Sequence, residues 1–90
     1  VVDEAHAVGV MGAEGRGACA AAGLSARDVP VLVAPLGKAF GGQGALVFGA
    51  APLVEHLLQS ARPYVFSTSA LPALAAAMSA NLAALRVQGW

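Results

Sequence analysis

Lys38 is the only lysine in a chain of 90 residues. It lies in Pro35-Leu36-Gly37-Lys38-Ala39-Phe40-Gly41-Gly42-Gln43-Gly44, a run with little side-chain bulk beside the amine. The apolar segment Val31 to Ala34 leads into it and reads as a short buried strand. A primary amine at a strand end suits covalent chemistry with a carbonyl. The neutral amine is the nucleophile, and burial favours the neutral form. Upstream, Val1-Val2 runs into Asp3-Glu4-Ala5-His6, which puts a carboxylate and an imidazole at the end of a second apolar run. Lysine, carboxylate and histidine at strand ends predict a cofactor site. Each has a plainer reading taken singly: a lone buried Asp is usually a cap or an ion-pair partner, and a lone His a satisfied polar side chain.

The elements that must position these groups read as α/β. Val1 to Asp3, Val31 to Ala34 and Ala45 to Phe48 are short apolar strands. His6 to Gly17, with four glycines, is a loop that needs positive φ rather than a dinucleotide fingerprint. Arg16 is a candidate structural anchor for it. Ala18 to Gly23 is a short helix stopped by Gly23, and Ser25 to Pro30 is a polar connector. The second and third strands are joined too closely for a crossover helix. They either form an antiparallel pair or do not pair directly. Pro52 suits a first helical turn, and Leu53, Val54, Leu57, Leu58 and Ala61 give that helix one apolar face. The same reading puts Arg62 in its last turn, ends it at Pro63 and leaves Tyr64-Val65-Phe66 extended. A last helix starts near Pro72, with Leu71, Leu74, Met78, Leu82 and Leu85 on one stripe, and ends before Gly89.

Hydrophobic residues make up 58% of the chain and charged residues 11%, against about 45–50% and about 25% in an average soluble domain. So few charges cannot cover a small domain's surface. The chain is therefore expected to be a piece of a larger domain, its surplus apolar surface covered by further chain or a partner subunit. It begins inside an apolar segment, which fits the same expectation. Zero net charge and scattered arginines argue against nucleic-acid binding. No apolar stretch reaches the roughly 18 residues of a membrane-spanning helix. Cys19 is the single cysteine. It cannot form an intrachain disulfide or a metal site alone and is read as a small buried residue, with no metal expected. His56 falls on a polar helix side, and Trp90 has no context.

Asp-Glu-Ala-His after an apolar strand also spells the magnesium-holding box of a helicase-type ATPase, with Glu4 orienting water. The phosphate loop of such enzymes, G-x-x-x-x-G-K-[S/T], precedes that box. Here Gly37-Lys38 follows it and continues into Ala39. The wider pattern is Asp3-Glu4-Ala5-His6-Ala7-Val8-Gly9, then Gly12-x-x-Gly15-Arg16-Gly17, then Leu36-Gly37-Lys38-Ala39-Phe40-Gly41, then Ala61 to Ser69. In that order it resembles the α-oxoamine synthases, pyridoxal phosphate (PLP) enzymes of the fold-type I aminotransferase architecture. The resemblance implies that residues 1–90 are part of the large PLP-binding domain, a mostly parallel sheet flanked by helices. It also implies a cytoplasmic homodimer that condenses an amino acid with an acyl-CoA, releasing CO2 and CoA. Leu57 to Tyr64 and Ala45 lean toward the biotin-pathway branch, which takes alanine and pimeloyl-CoA or its carrier-protein thioester. Branches making 2-amino-3-oxobutyrate or 5-aminolevulinate share the Asp-Glu-x-His and Gly-Lys-Ala motifs and stay open. So does a catalytically silent, truncated paralogue.

The resemblance implies a role for each site residue. Lys38 is the Schiff-base lysine and proton shuttle. Asp3 pairs with the pyridine nitrogen, and a protonated ring is the better electron sink. His6 contacts the phenolic oxygen. Ser67 and Thr68 reach the cofactor phosphate of the neighbouring subunit, hydroxyls being suitable donors. Thr68 and Ser69 read equally well as leading residues of the Pro72 helix. One position departs from the pattern. Three residues before the lysine the family carries Thr, whose hydroxyl contacts the phosphate. Here Pro35 has neither hydroxyl nor N–H.

Overall fold

The computed structural model describes residues 1–88, so Trp90 lies outside the described residues. A three-stranded sheet runs in the order β1 (Val2–Asp3), β2 (Val31–Pro35), β3 (Ala45–Gly49). β1 and β2 are parallel, with Val2 opposite Leu32 and Asp3 opposite Val33. β2 and β3 are antiparallel, from Val31 opposite Gly49 to Pro35 opposite Ala45. Of the two arrangements left open by the sequence, the direct antiparallel pair is the one formed. Pro35 is tolerated in the central strand because it is the strand's last residue, where the ladder ends.

Between β1 and β2 the chain makes a 3-10 turn at Ala13–Gly15 and a one-turn helix α1 (Ala18–Ala21). Gly23, at φ 68°, ends that helix in the left-handed conformation glycine favours. Ser25 and Asp28 close a single turn on each other, with the Ser25 hydroxyl donating to Asp28 Oδ2 at 2.7 Å. The Arg16 side chain anchors nothing in the core. It pairs with Glu14 at 3.0 Å, both side chains about 70% exposed, a pair worth little. It is the Arg16 backbone that ties the loop, by a bridge to Val8.

Helix α2 (Ala51–Ser60) begins with Pro52 in its first turn and half-buries Leu53, Val54 and Leu57. A Cβ on Gly49 would stand 2.8 Å from Leu53 Cδ2 and 3.2 Å from the Pro30 carbonyl. The missing side chain lets the helix fold back over the sheet. Beyond α2 the structure corrects the sequence reading. Arg62 opens a new helix, α3 (Arg62–Val65), rather than closing α2, and Tyr64-Val65 is helical rather than extended. Pro63 explains both. Lacking an N–H it cannot continue α2, yet its fixed φ suits a first turn. The Ala61 carbonyl then accepts from Tyr64 and Val65 N–H at 3.0 and 2.9 Å. The Arg62 guanidinium sits over the Phe66 ring, 5.8 Å from its centre.

Helix α4 (Pro72–Gln88) starts where the sequence places it. Leu74, Met78 and Leu85 are half-buried, while Leu71 and Leu82 are exposed. Among the described residues the core is small: Ala7, Cys19 and Ala34 are its buried apolar residues, joined by one charged residue, Glu4. Phe48 and Phe66 are 51% and 79% exposed, which is the surplus apolar surface expected from composition. No helix among the described residues is long and apolar enough to cross a membrane.

Candidate active site

Because β1 and β2 are parallel, Asp3 and Pro35 end at the same edge of the sheet. Ligands of α/β sheets bind outside that carboxyl edge. Asp3, the last residue of β1, accepts the Ala5 N–H on Oδ1 at 2.8 Å. Its other oxygen has no partner among the described residues. His6 sits on the turn that follows. The Glu4 carbonyl accepts from Ala7 and Val8 N–H, both at 2.9 Å, and closes that turn.

Lys38 enters from the β2–β3 connection. The two Leu36 main-chain groups hold its base: Leu36 N–H donates to Gly44 O at 2.9 Å, and Gly42 N–H donates to Leu36 O at 2.8 Å. Gly41 N–H donates back to Lys38 O at 2.9 Å, and Gly41 takes φ 62°. These bonds leave the amine at the tip, where Lys38 Nζ lies 3.1 Å from His6 Nε2. The tautomer of the His6 ring sets which of the two nitrogens donates. Two residues 32 apart in sequence thus meet in the fold. Both are exposed among the described residues.

Sequence reasoning missed two supports. Helix α4 docks on the lysine loop: Asn81 Nδ2 donates to Phe40 O at 2.8 Å. Met78 fills the space where Gly42 has no side chain, since a Cβ there would overlap its thioether. The second is Glu4, 1% exposed. Its Oε2 accepts Ala18 N–H at 2.8 Å, and its Oε1 accepts Cys19 N–H at 2.7 Å. Burial alone would raise the carboxyl pKa, but those N–H donors outweigh it and hold the group below its ordinary value of 4.5. The same carboxylate pushes the Cys19 thiol up, by hydrogen bonding first and then with burial and charge. Cys19 is therefore inert packing, as its buried position already implies.

A pH dependence follows from Glu4. Its native carboxyl is depressed, so the stabilisation is present above the unfolded pKa and is lost as pH falls through the lower folded value. Denaturant midpoints should therefore drop as pH is lowered below about 4.5. A Glu4→Gln variant should lose that part of the slope, and an unchanged slope would remove Glu4 from the account.

Ser67 follows α3 and turns its hydroxyl back on that helix, donating to Pro63 O at 2.5 Å with Tyr64 O at 3.2 Å. Neither Ser67 nor Thr68 bonds to Asp3, His6 or Lys38 among the described residues. Thr68 and Ser69 make no side-chain capping bond to α4 among those residues either. Pro35 closes β2 beside the lysine loop and offers no hydroxyl. Pro35→Thr is expected to tighten PLP binding by one charge-assisted bond, roughly 1.5–3 kcal/mol, read by fluorescence titration. No change would mean the phosphate is held elsewhere.

Comparisons with known proteins give the family of the chain. The profile of the aminotransferase class I and II family matches residues 1–87, and the chain belongs to that family. Its particular likeness is to 8-amino-7-oxononanoate synthases. The enzyme of Stenotrophomonas maltophilia is 54% identical over 89 residues, covering 99% of this chain. That of Pseudomonas savastanoi pv. phaseolicola is 51% identical over 90 residues, covering 100%. The chain spans only 22% and 23% of those two relatives. The crystal structure of the Francisella tularensis 8-amino-7-oxononanoate synthase superposes with TM-score 0.84 at 43% identity, over 93% of this chain and 25% of that one. A serine palmitoyltransferase from S. paucimobilis, solved with a PLP–myriocin aldimine, superposes with TM-score 0.82 at 32% identity, over 93% and 22%. The fold is thus a piece of the fold-type I aminotransferase architecture, its sheet mixed in this stretch.

Proposed function

We propose that these residues are the lysine-bearing part of the large domain of a PLP-dependent acyltransferase. The full-length enzyme would condense L-alanine with a pimeloyl thioester, as an 8-amino-7-oxononanoate synthase of biotin synthesis does. The observation that carries the reading is the contact between Lys38 Nζ and His6 Nε2 at 3.1 Å, beside the carboxyl end of β1. The donor set fits the cofactor. It comprises a primary amine for an aldehyde, an imidazole within hydrogen-bond reach of that amine, and an Asp3 oxygen that the Ala5 bond leaves without a partner among the described residues.

When bound, PLP supplies an electron sink for the carbanion left after a substrate loses a proton or CO2. The chain's own residues do the rest. Lys38 provides the amine that holds the cofactor covalently, and afterwards carries a proton on Nζ. His6 presents Nε2 to the same region. The free oxygen of Asp3 would accept the N–H of the protonated ring nitrogen and so keep the ring charged. The Leu36 main-chain bonds, with Asn81 and Met78 from α4, keep the lysine loop from collapsing into the space a substrate needs. Ser67 and Thr68 are assigned to the phosphate of a neighbouring subunit. A homodimer with its site at the interface, and a cytoplasmic location, belong to the same reading. Identity near 50% to 8-amino-7-oxononanoate synthases against 32% to the palmitoyltransferase favours the shorter acyl donor.

The test is a substrate comparison on the full-length protein reconstituted with PLP. L-alanine with pimeloyl-CoA should release CoA and CO2 faster than L-serine with palmitoyl-CoA. Faster turnover of the second pair would reassign the enzyme within its class. Bound PLP with no turnover of any amino acid and acyl-CoA pair would make it a silent paralogue.

A further inference from the structure

Glu4 is a buried charge that the reaction outlined above does not use. A buried carboxylate is unfavourable unless its oxygens are satisfied, and Glu4 satisfies them with backbone N–H groups rather than a cation. Its main chain is engaged as well. The N–H donates to Val33 O of β2 at 2.8 Å, and the carbonyl closes the turn that carries His6. The loop after that turn returns to the same residue. Gly9 N–H bonds Gly15 O at 2.7 Å, Gly17 N–H bonds Met11 O at 2.8 Å, and the next two N–H groups reach the Glu4 carboxylate. Gly17 makes this approach feasible, since a Cβ there would stand 2.7 Å from Oε2. Glu4 thus closes a ring of chain from both ends, and His6 lies within it. No hydrogen bond of His6 or Lys38 side chains other than their mutual one exists among the described residues. The register of that pair is therefore set by backbone.

We infer that Glu4 is a positioning residue: its clamp on the Ala18 and Cys19 N–H groups fixes where the His6 ring meets the Lys38 amine. The inference rests on Lys38 being the cofactor-bearing lysine, but its geometric part can be tested without cofactor. In the full-length apo-protein, ring nitrogens are followed by 15N-histidine spectra, with His6 assigned by a His6→Asn variant. Glu4→Gln should move the His6 Nε2 signal while far-ultraviolet circular dichroism stays unchanged. The rate of PLP capture should fall about tenfold in Glu4→Gln and in His6→Asn. The double variant should fall no further, because residues acting as a unit are not additive.

Should Glu4→Gln fail to fold, Ala18→Pro removes one of the two donors and sets its ring Cδ against Glu4 Oε2, which displaces the carboxylate. Ala18 is the first residue of α1, where proline is tolerated, and Gly17 at ψ 179° suits a residue before proline. It should produce the same His6 shift. A lowered melting temperature with unmoved His6 signals would overturn the inference. So would losses that multiply to about a hundredfold in the double variant. If the wild type captures no PLP, it is the functional reading that fails, and the ring-nitrogen comparison still decides the role of Glu4.

Discussion

Lys38→Ala should leave full-length protein that folds but cannot hold PLP covalently, so the near-ultraviolet to visible absorbance of the bound cofactor disappears. Turnover should fall by more than the roughly 10²–10⁴ ascribed to proton transfer alone, because both covalent attachment and the shuttle are lost. Lys38→Arg is the sharper control. It keeps the positive charge and much of the length, but a guanidinium cannot be deprotonated in a protein and offers no neutral amine. The arginine variant should therefore be as inactive as the alanine one. Lys38 is exposed and, among the described residues, its side chain bonds to His6 alone, so neither variant should lower the denaturation midpoint appreciably. A lysine variant that keeps its absorbance would mean that another amine carries the cofactor.

The largest effect on stability is expected at Glu4. Glu4→Ala removes the acceptor of two N–H groups, one of them on the buried Cys19. Each unsatisfied buried donor costs about 1–3 kcal/mol, and the lost side chain leaves a void beside Cys19 and Gly17. A total of roughly 3–5 kcal/mol is a large part of the roughly 5–15 kcal/mol that stabilises a domain. Glu4→Gln should cost less, roughly 1.5–3 kcal/mol, because the amide still offers one oxygen. Gly17→Ala should resemble the alanine variant in kind. It displaces the carboxylate and forces an L-residue to φ 100° and ψ 179°, a conformation that costs about 1–3 kcal/mol by itself. Guanidinium denaturation of the full-length protein at neutral pH measures all three. Stability within about 0.5 kcal/mol of wild type for Glu4→Ala would show that the two N–H groups find other acceptors.

The reactive groups were legible in the sequence because apolar runs announce strand ends. Val1-Val2 points to Asp3 and His6, and Val31 to Ala34 points to Lys38, so a shared cofactor site could be expected, though not the direct contact between His6 and Lys38. Glu4 was not legible. Its partners lie 14 and 15 residues away and are backbone groups, which leave no mark on residue type. The nearest signal was Gly17, a glycine whose missing side chain makes room for the carboxylate. Asn81 and Met78 were hidden for a related reason. Met78 reads as one more residue of an apolar stripe, and Asn81 belongs to no motif. Their target is a loop some 40 residues earlier. The short helix at Arg62–Val65 was misread because proline both ends a helix and favours the first turn of the next. The β2–β3 pairing was left open by a loop long enough for either arrangement.

The identity of the covalently modified residue tests the central claim most directly. Full-length protein loaded with PLP is reduced with borohydride, digested, and its peptides mapped by mass. The account predicts one pyridoxyl group, on Lys38 within Pro35-Leu36-Gly37-Lys38-Ala39-Phe40-Gly41. A pyridoxyl group on any other lysine, or none on a protein whose cofactor absorbance was present before reduction, would contradict it.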